Sequence, residues 1–347
     1  MIARWELLRY LAGHPAHEGF VLRLLDDEGQ VGLGEARTID GYGSGQAILN
    51  AFLSDRVRMD GLLHTLQNDM AQSGRIQPLP KDNSVPVEAL FAAETALYDL
   101  ASRRAGKDLT SWLGYPRRES LANSILVTNE AQARRAAEAG NRNFKLKASG
   151  ESAEWLLLFH TLLKATDGQA RIRVDANGSW NPGIARGLLG QVPLTNLDYL
   201  EQPFPVGDLG NCRRLKDRLG VNIGIDEGVK SAQTIEDIAK LDAADLIVLK
   251  PMFRGLVGAL DLARTAIELG LGVCVTHSMD GTLGRLAAMH VAAAVGGDRP
   301  HGLYAPGLPR LAREPELKPD EIKMLDKPGL GWTDLREEIL KPWGHAA

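Results

Sequence analysis

Three acidic residues and a lysine close successive short apolar runs at nearly constant intervals. Asp175 ends Arg-Ile-Arg-Val-Asp, Glu201 ends Leu-Asp-Tyr-Leu-Glu, Asp226 ends Val-Asn-Ile-Gly-Ile-Asp and Lys250 ends Leu-Ile-Val-Leu-Lys. From 175 to 201 to 226 to 250 the steps are 26, 25 and 24 residues. A strand, a helix and two loops need about that length. The spacing therefore predicts parallel strands, each presenting one charged side chain at the same C-terminal edge. A (β/α)8 barrel keeps its active site at that edge. Carboxylates converging from three strands suit a hard divalent cation such as Mg2+, which takes oxygen ligands. A single strand-terminal acid reads equally well as a cap for the next helix. The register of all three favours ligation.

The length, 347 residues, accommodates one barrel and a smaller domain. Hydrophobic residues at 44% and charged residues at 24% suit a soluble globular chain. A net charge of −4 and a pI near 6.1 leave no basic footprint for nucleic acid or an anionic membrane. No apolar run approaches the roughly 18 residues of a membrane span. Glu6 and Arg9 interrupt the stretch a signal peptide would need. The expectation is a cytoplasmic enzyme acting on a small molecule, as a monomer or homo-oligomer. Cys212 and Cys274 are the two cysteines, too few for a disulfide framework or thiolate metal site. Cys274 lies in an apolar run and reads as a small buried hydrophobe.

The first section reads as an antiparallel sheet followed by helices. Predicted strands cover 5–11, 20–25 and 31–36, the last two joined through a glycine-bearing hairpin connection at 26–29. Gly41-Tyr42-Gly43-Ser44-Gly45 lacks the Lys-Ser/Thr of a phosphate loop and follows a hairpin. It is expected to be a flexible loop over the barrel mouth. Leu90, Ala93, Leu97 and Leu100 recur at helical spacing between Pro86 and Lys107, with Pro86 suiting the first turn and Gly106 the end. Beyond about residue 120, strands and helices alternate. Strands are predicted at 121–127, 143–147, 172–175, 199–201, 222–226, 246–250 and 272–276, with an eighth at 302–304 to close a barrel. Predicted helices include 130–139, 153–164, 182–189, 232–240 and 258–269. The domain expectation is a cap over 1–120, a barrel over 121–309 and a segment, 310–347, packing back on the cap.

Lys145 and Lys147 stand at i and i+2, on one face of a strand. An exterior face would press two ammonium groups against helices, which favours the interior near the mouth. Two neighbouring cations lower each other's pKa towards that of a general base. At a frayed strand end the same pair is only solvated charge. Pro251 holds Lys250 extended, so Lys250 reads as a second amine or as a structural partner of Asp226 or Glu227. Thr276 and Ser278, at the end of the seventh predicted strand, are candidate hydrogen-bonding groups for a substrate carboxylate. His277 between them reads as a lining residue, and Tyr42 of the glycine loop is a further substrate-binding candidate. His290, on an apolar helical run, reads as a core or interface side chain.

The set Lys145-Leu146-Lys147, Asp175-Ala176-Asn177, Glu201-Gln202-Pro203, Asp226-Glu227 and Lys250-Pro251 resembles the enolase superfamily in its muconate-lactonizing subgroup. Ala93-Glu94-Thr95-Ala96-Leu97-Tyr98-Asp99-Leu100 is similar to the helix joining that family's cap to its barrel. The resemblance implies an α/β fold: a (β/α)8-type, modified TIM barrel with an α+β capping domain built from the N-terminal region and the C-terminal tail. It implies Mg2+, with Mn2+ as a substitute, held by Asp175, Glu201 and Asp226 and oriented from behind by Asn177 and Glu227. It implies Lys147 as the base on one face of a carboxylate substrate, Lys145 as its electrostatic partner and Lys250 on the other face. A proton α to a carboxylate is far less acidic than an ammonium of pKa about 10.4. Charge developing on the carboxylate oxygens must therefore be stabilised by a metal and fixed cations. Sites of this superfamily use a lysine base in that way.

Mandelate-racemase-like relatives pair a His on the seventh strand with an Asp ending the sixth. Here the sixth ends in Lys250, so His277 is not expected to be a base. In the lysine-dyad subgroup, the enediolate loses a β-hydroxyl in dehydration, is reprotonated on the other face in epimerisation, or expels a ring oxygen in cycloisomerisation. Residues 248–252 and the seventh-strand segment are most similar to o-succinylbenzoate synthases of menaquinone biosynthesis. Those lyases dehydrate 2-succinyl-6-hydroxy-2,4-cyclohexadiene-1-carboxylate. The chain departs from their pattern at Gly255-Leu256 and at His277. The expected activity is a Mg2+-dependent carbon–oxygen lyase, with an N-acylamino acid racemase as the alternative. A dipeptide epimerase is disfavoured because 301–307 contains no Asp-x-Asp. A non-catalytic barrel is disfavoured because all six charged positions are intact.

Overall fold

The computed structural model describes residues 2–12, 17–78, 84–150, 152–304, 309–312, 320–331 and 334–343. The chain opens with antiparallel strands β1 (Ile2–Ala12), β2 (His17–Asp26) and β3 (Val31–Arg37). The hairpin at Asp26 turns because its carboxylate accepts the amides of Glu28 and Gln30, while Gly29 takes φ 79°. Four helices follow: α1 (Gln46–Leu53), α2 (Arg56–Ser73), α3 (Val87–Arg104) and α4 (Leu109–Trp112). Helix α3 lies against the sheet through Ala89, Ala92, Ala93 and Ala96. The approach is close enough that a side chain at Gly32 or Gly34 would collide with the carbonyls of Ala96 and Ala92.

After β4 (Ser120–Ala122) the alternation begins: β5 (Ile125–Val127), α5 (Glu130–Glu138), β6 (Asn143–Lys147), α6 (Glu154–Ala165), β7 (Arg171–Asp175) and α7 (Pro182–Leu189). It continues with β8 (Leu197–Glu201), α8 (Leu209–Leu219), β9 (Ile223–Ile225), α9 (Ala232–Lys240), β10 (Leu246–Leu249), α10 (Leu256–Glu268), β11 (Gly272–Val275) and α11 (Thr282–Val295). Strands β5 to β11 form one parallel sheet in sequence order. Bridges from His301 to Asn123 and from Gly302 to Thr276 join its two edges. The fold is the modified (β/α)8 barrel with an antiparallel sheet in its cap. Tyr199, Leu246, Val248 and Cys274 form a separate buried cluster. Arg173 joins it, its guanidinium 4.9 Å from the Tyr199 ring centroid.

Two strand expectations need correction. The run 121–127 is two strands, because β4 leaves the barrel to pair antiparallel with β12 (Glu321–Lys323). Asn123 marks the break, its side-chain oxygen accepting the amides of Leu303 and Tyr304. The eighth strand is reduced to bridges at His301 and Gly302 and does not extend over 302–304. Residues 305–307 of the segment weighed against epimerases lie outside the described residues. The last strand, β13 (Lys341–Trp343), pairs with β1 at the cap's edge. Among the described residues no helix is long and apolar enough to cross a membrane.

Candidate active site

Strand register carries the charged residues to one rim. Lys147 pairs with Asp175 and Asp175 with Glu201 across β6, β7 and β8, while Asp226 and Lys250 directly follow β9 and β10. The Lys145 ammonium lies 2.7 Å from both carboxylate oxygens of Glu201 and 2.9 Å from Asp175. Lys147 donates to Asp175 at 2.6 Å and to the Asn177 side-chain oxygen at 3.1 Å. Lys250 donates to Asp226 and lies 4.9 Å from the centroid of the Tyr42 ring. All three carboxylates are buried. The six residues, drawn from five strand ends, therefore meet in one cluster.

Their electrostatics follow from burial and crowding. Burial, with Asp175 and Asp226 beside it, pushes Glu201 up to about 7. Burial also works against the charge on Asp175, but the Lys145 and Lys147 ammonium groups hold it well below the usual carboxylate range. Lys145 corrects an expectation. Burial favours its neutral amine, yet Asp175, Glu201 and Asp226 outweigh burial and raise its pKa. The pairing of two lysines does not lower this one.

The surrounding residues hold these groups in place. Asn177, at φ 47°, gives its amide to Asp175 and its side-chain nitrogen to Glu227, while its oxygen accepts from Lys147 and Ser149. Tyr42 reaches over from the glycine loop, donating to Glu227 at 2.6 Å and stacking on Phe253. The loop is tied down because Glu88 accepts the Ser44 amide. Gln202 was not anticipated. Fully buried at φ 38°, it accepts the amides of Asp226 and Gly228 with its side chain and that of Gly178 with its carbonyl. One residue thus ties together the loops after β7, β8 and β9. The available signal was its place beside Glu201.

On the far side of the mouth, Thr276 and Ser278 are buried, each with a hydroxyl lacking a hydrogen-bond partner. His277 is half-buried, and its Nδ1 accepts the Met279 amide at 3.0 Å. Burial and the nearby Arg285, Lys145, Lys250 and Lys147 push its imidazole down to about 3. The cap holds this turn. Arg37 donates to the Met279 carbonyl, and Glu35 accepts the amides of Gly281 and Gly284 at the start of α11 and the Tyr10 hydroxyl. His290 is buried elsewhere, beside Thr110 at 2.8 Å.

The donor set fits a hard cation: three buried carboxylates meet at one rim, and their mutual repulsion is what a divalent ion relieves. Among the described residues no three acidic, His or Cys side chains form a ready cage. Ammonium groups contact the carboxylate oxygens instead.

The sequence profile of the family described as "Enolase C-terminal domain-like" matches residues 129–338. A chloromuconate cycloisomerase of Cupriavidus necator is 26% identical over 346 residues, covering 95% of this chain and 92% of that protein. An o-succinylbenzoate synthase of Thermobifida fusca is 32% identical over 189 residues, covering 53% of this chain and 57% of that protein. A solved muconate lactonizing enzyme of Pseudomonas fluorescens, complexed with muconolactone, superposes with a TM-score of 0.81 at 22% identity, covering 98% of this chain and 99% of that one. The structural likeness establishes the fold alone, and the relatives differ in reaction. Profile, full-length similarity and fold agree, and the chain belongs to the enolase superfamily, in its muconate-lactonizing subgroup.

Proposed function

We propose that the protein is a Mg2+-dependent lyase that removes a proton α to a carboxylate and expels a β-hydroxyl, acting as an o-succinylbenzoate synthase. The inequality of the two outer lysines carries the choice. The Lys147 side chain is 48% exposed at the rim. That of Lys250 is 17% exposed, bound to Asp226 and covered by the Tyr42 ring. A syn dehydration asks for one proton-transfer group and one fixed cation. A racemase asks for proton transfer on both faces.

In this reading Asp175, Glu201 and Asp226 hold the metal, with Asn177 and Glu227 orienting them. Bound Mg2+ supplies Lewis-acid stabilisation of the substrate carboxylate. Lys147, as the free amine, takes the α-proton. Lys145 and Lys250 stabilise the negative charge left on the enediolate oxygens. The Lys147 ammonium then passes its proton to the hydroxide as the carbon–oxygen bond breaks, releasing water and restoring the amine. Tyr42 and Phe253 cover this side of the mouth and exclude bulk water. Thr276 and Ser278 offer hydroxyls to the substrate.

A second reading, N-acylamino acid racemase, is favoured by one observation: Lys250 belongs to the same charge cluster as Lys147. Incubation with Mg2+ and each candidate acid in D2O separates the two. For the dehydratase, Lys147→Ala removes both dehydration and α-proton exchange. Lys250→Arg keeps the charge without the base and retains part of the dehydration. For the racemase, Lys250→Arg exchanges the proton of one enantiomer only. Efficient racemisation of N-succinylamino acids, with no dehydration of the cyclohexadiene acid, overturns the proposal.

A further inference from the structure

The turn after β11 is a strained stretch of the mouth that proton abstraction leaves unexplained. Met279 holds φ 57°, a left-handed conformation that is strained for a residue with a Cβ. Such a conformation persists only where its surroundings over-determine it. Three contacts do so here. The Met279 amide donates to His277 Nδ1, Arg37 of the cap donates to the Met279 carbonyl, and the Ser278 amide donates to Asp280 at 3.1 Å. The first of these decides the chemistry of the ring. A backbone amide only donates, so Nδ1 is the acceptor and the neutral imidazole carries its proton on Nε2. The ring is half-buried, and no described residue accepts from Nε2. The charges that bear on the ring are cationic: Lys145, Lys147 and Lys250 of the barrel strands and Arg285 of α11.

We propose that His277 is a neutral hydrogen-bond donor that presents its Nε2–H to an acceptor oxygen of the substrate and takes up no proton during turnover. The proposal rests on the reading of the site as one that removes a proton α to a carboxylate, because a fixed donor acts on charge that develops on oxygen. A neutral donor also suits this place. Arg285, Lys145 and Lys250 already bear on the ring as cations, and an imidazolium would add another like charge. The turn spends its strain on fixing which ring nitrogen bears the proton. A general base at this position would need a ring nitrogen free to accept a proton. Here Nδ1 is tied to the chain and Nε2 is already protonated.

Long-range 1H–15N correlation spectra of histidine-labelled protein, recorded on the resting enzyme between about pH 6 and 8, read the tautomer without any substrate. His277→Gln identifies the resonance. The expected result is protonated Nε2 and unprotonated Nδ1 throughout. A proton on Nδ1, or a second proton gained in that range, overturns the proposal. The kinetic arm follows α-proton exchange into D2O, a readout that dehydratase and racemase share. His277→Gln, whose side-chain amide reaches the place of Nε2, is expected to exchange within about tenfold of wild type. His277→Ala is expected to lose about 10²-fold, the size of one lost preorganised donor. Equal rates in the two variants overturn the donor role. If the wild type exchanges no proton from either class of acid, the proton-abstraction reading fails and the donor role with it. The spectra still decide the tautomer, so the two failures are told apart.

Discussion

The two halves of the barrel rim are built in opposite ways. From β6 to β10 it is fixed by lysines and carboxylates in contact with one another, with Gln202 holding the loops through the amides of Asp226 and Gly228. From β11 to the seam it is fixed by backbone groups and by the cap, through Glu35 and Arg37. To the first half the cap adds Tyr42, whose hydroxyl donates to Glu227 and whose ring lies over Lys250. The second is held by side chains of the capping sheet, at the turn after β11 and the start of α11. A charge cluster that stabilises an enediolate needs no knowledge of the rest of the substrate, whereas a turn assembled by a separate layer can change without disturbing it. In the proposed reading the first half carries the proton chemistry and the second bears on the choice of substrate.

The sharpest way to break that division is at the carboxylates. Asp175→Asn, Glu201→Gln and Asp226→Asn are each expected to lower turnover by about 10³-fold, at the upper end for one preorganised charge, with an unchanged circular dichroism spectrum. Full activity in excess chelator would remove the metal from the first half. Next comes Glu35→Ala, which orphans two buried amides and the Tyr10 hydroxyl. At about 1–3 kcal/mol for each unsatisfied group, the urea midpoint should fall clearly while Mg2+ affinity stays the same. A matching loss of Mg2+ affinity would show that the halves are not separable.

A smaller effect is expected at Asp280, inside the docked turn. Burial, with Glu35 beside it, pushes its carboxyl from the ordinary 3.8 up to about 7, against the pull of Arg37 and Arg285. Between those values the folded chain keeps a proton the unfolded chain has released, so stability falls as pH rises through the window. Asp280→Asn keeps the oxygen that accepts the Ser278 amide and removes the titration. It should therefore gain stability over wild type at pH 8 and match it near pH 4. Parallel unfolding midpoints at both pH values would exclude Asp280 as the source. The smallest effect belongs to Tyr42→Phe, which deletes one hydrogen bond to Glu227 but leaves the ring over Lys250. About 0.5–1.5 kcal/mol is at stake, read as a threefold to tenfold rise in KM. A larger loss would mean that the hydroxyl, and not the ring, holds the loop.

The first half was legible because a parallel strand puts its functional residue at a fixed end, so Asp175, Glu201, Asp226 and Lys250 stand at regular intervals in the chain itself. Gly302 is too short a contact for any periodicity, and its pairing was needed by closure alone. Helix α8 was passed over, although Asp208 caps it and Gly220 at φ 64° ends it. Charged residues dominate its sequence, and they masked Leu209, Cys212, Leu215 and Leu219. Glu35 and Arg37 could not be assigned, because their partners lie some 250 residues along the chain. One signal existed: Glu35 and Arg37 share a strand face with Val31 and Leu33, and charges on an apolar face require buried partners. Glu94 repeats the lesson, capping α10 through the amides of Leu256 and Val257.

The pairing of β13 with β1 bears on how the protein is made. On the ribosome, β1 emerges well before β13 and can pair with β2 within seconds. Its other edge must wait for residues 341–343, and at about 5–20 residues per second that wait lasts on the order of tens of seconds. An unpaired edge is a template for misassociation between nascent chains. Arg4, Glu6 and Arg9 supply charge along β1 during the interval. When β13 arrives it covers that edge of β1, with Pro342 opposite Leu8.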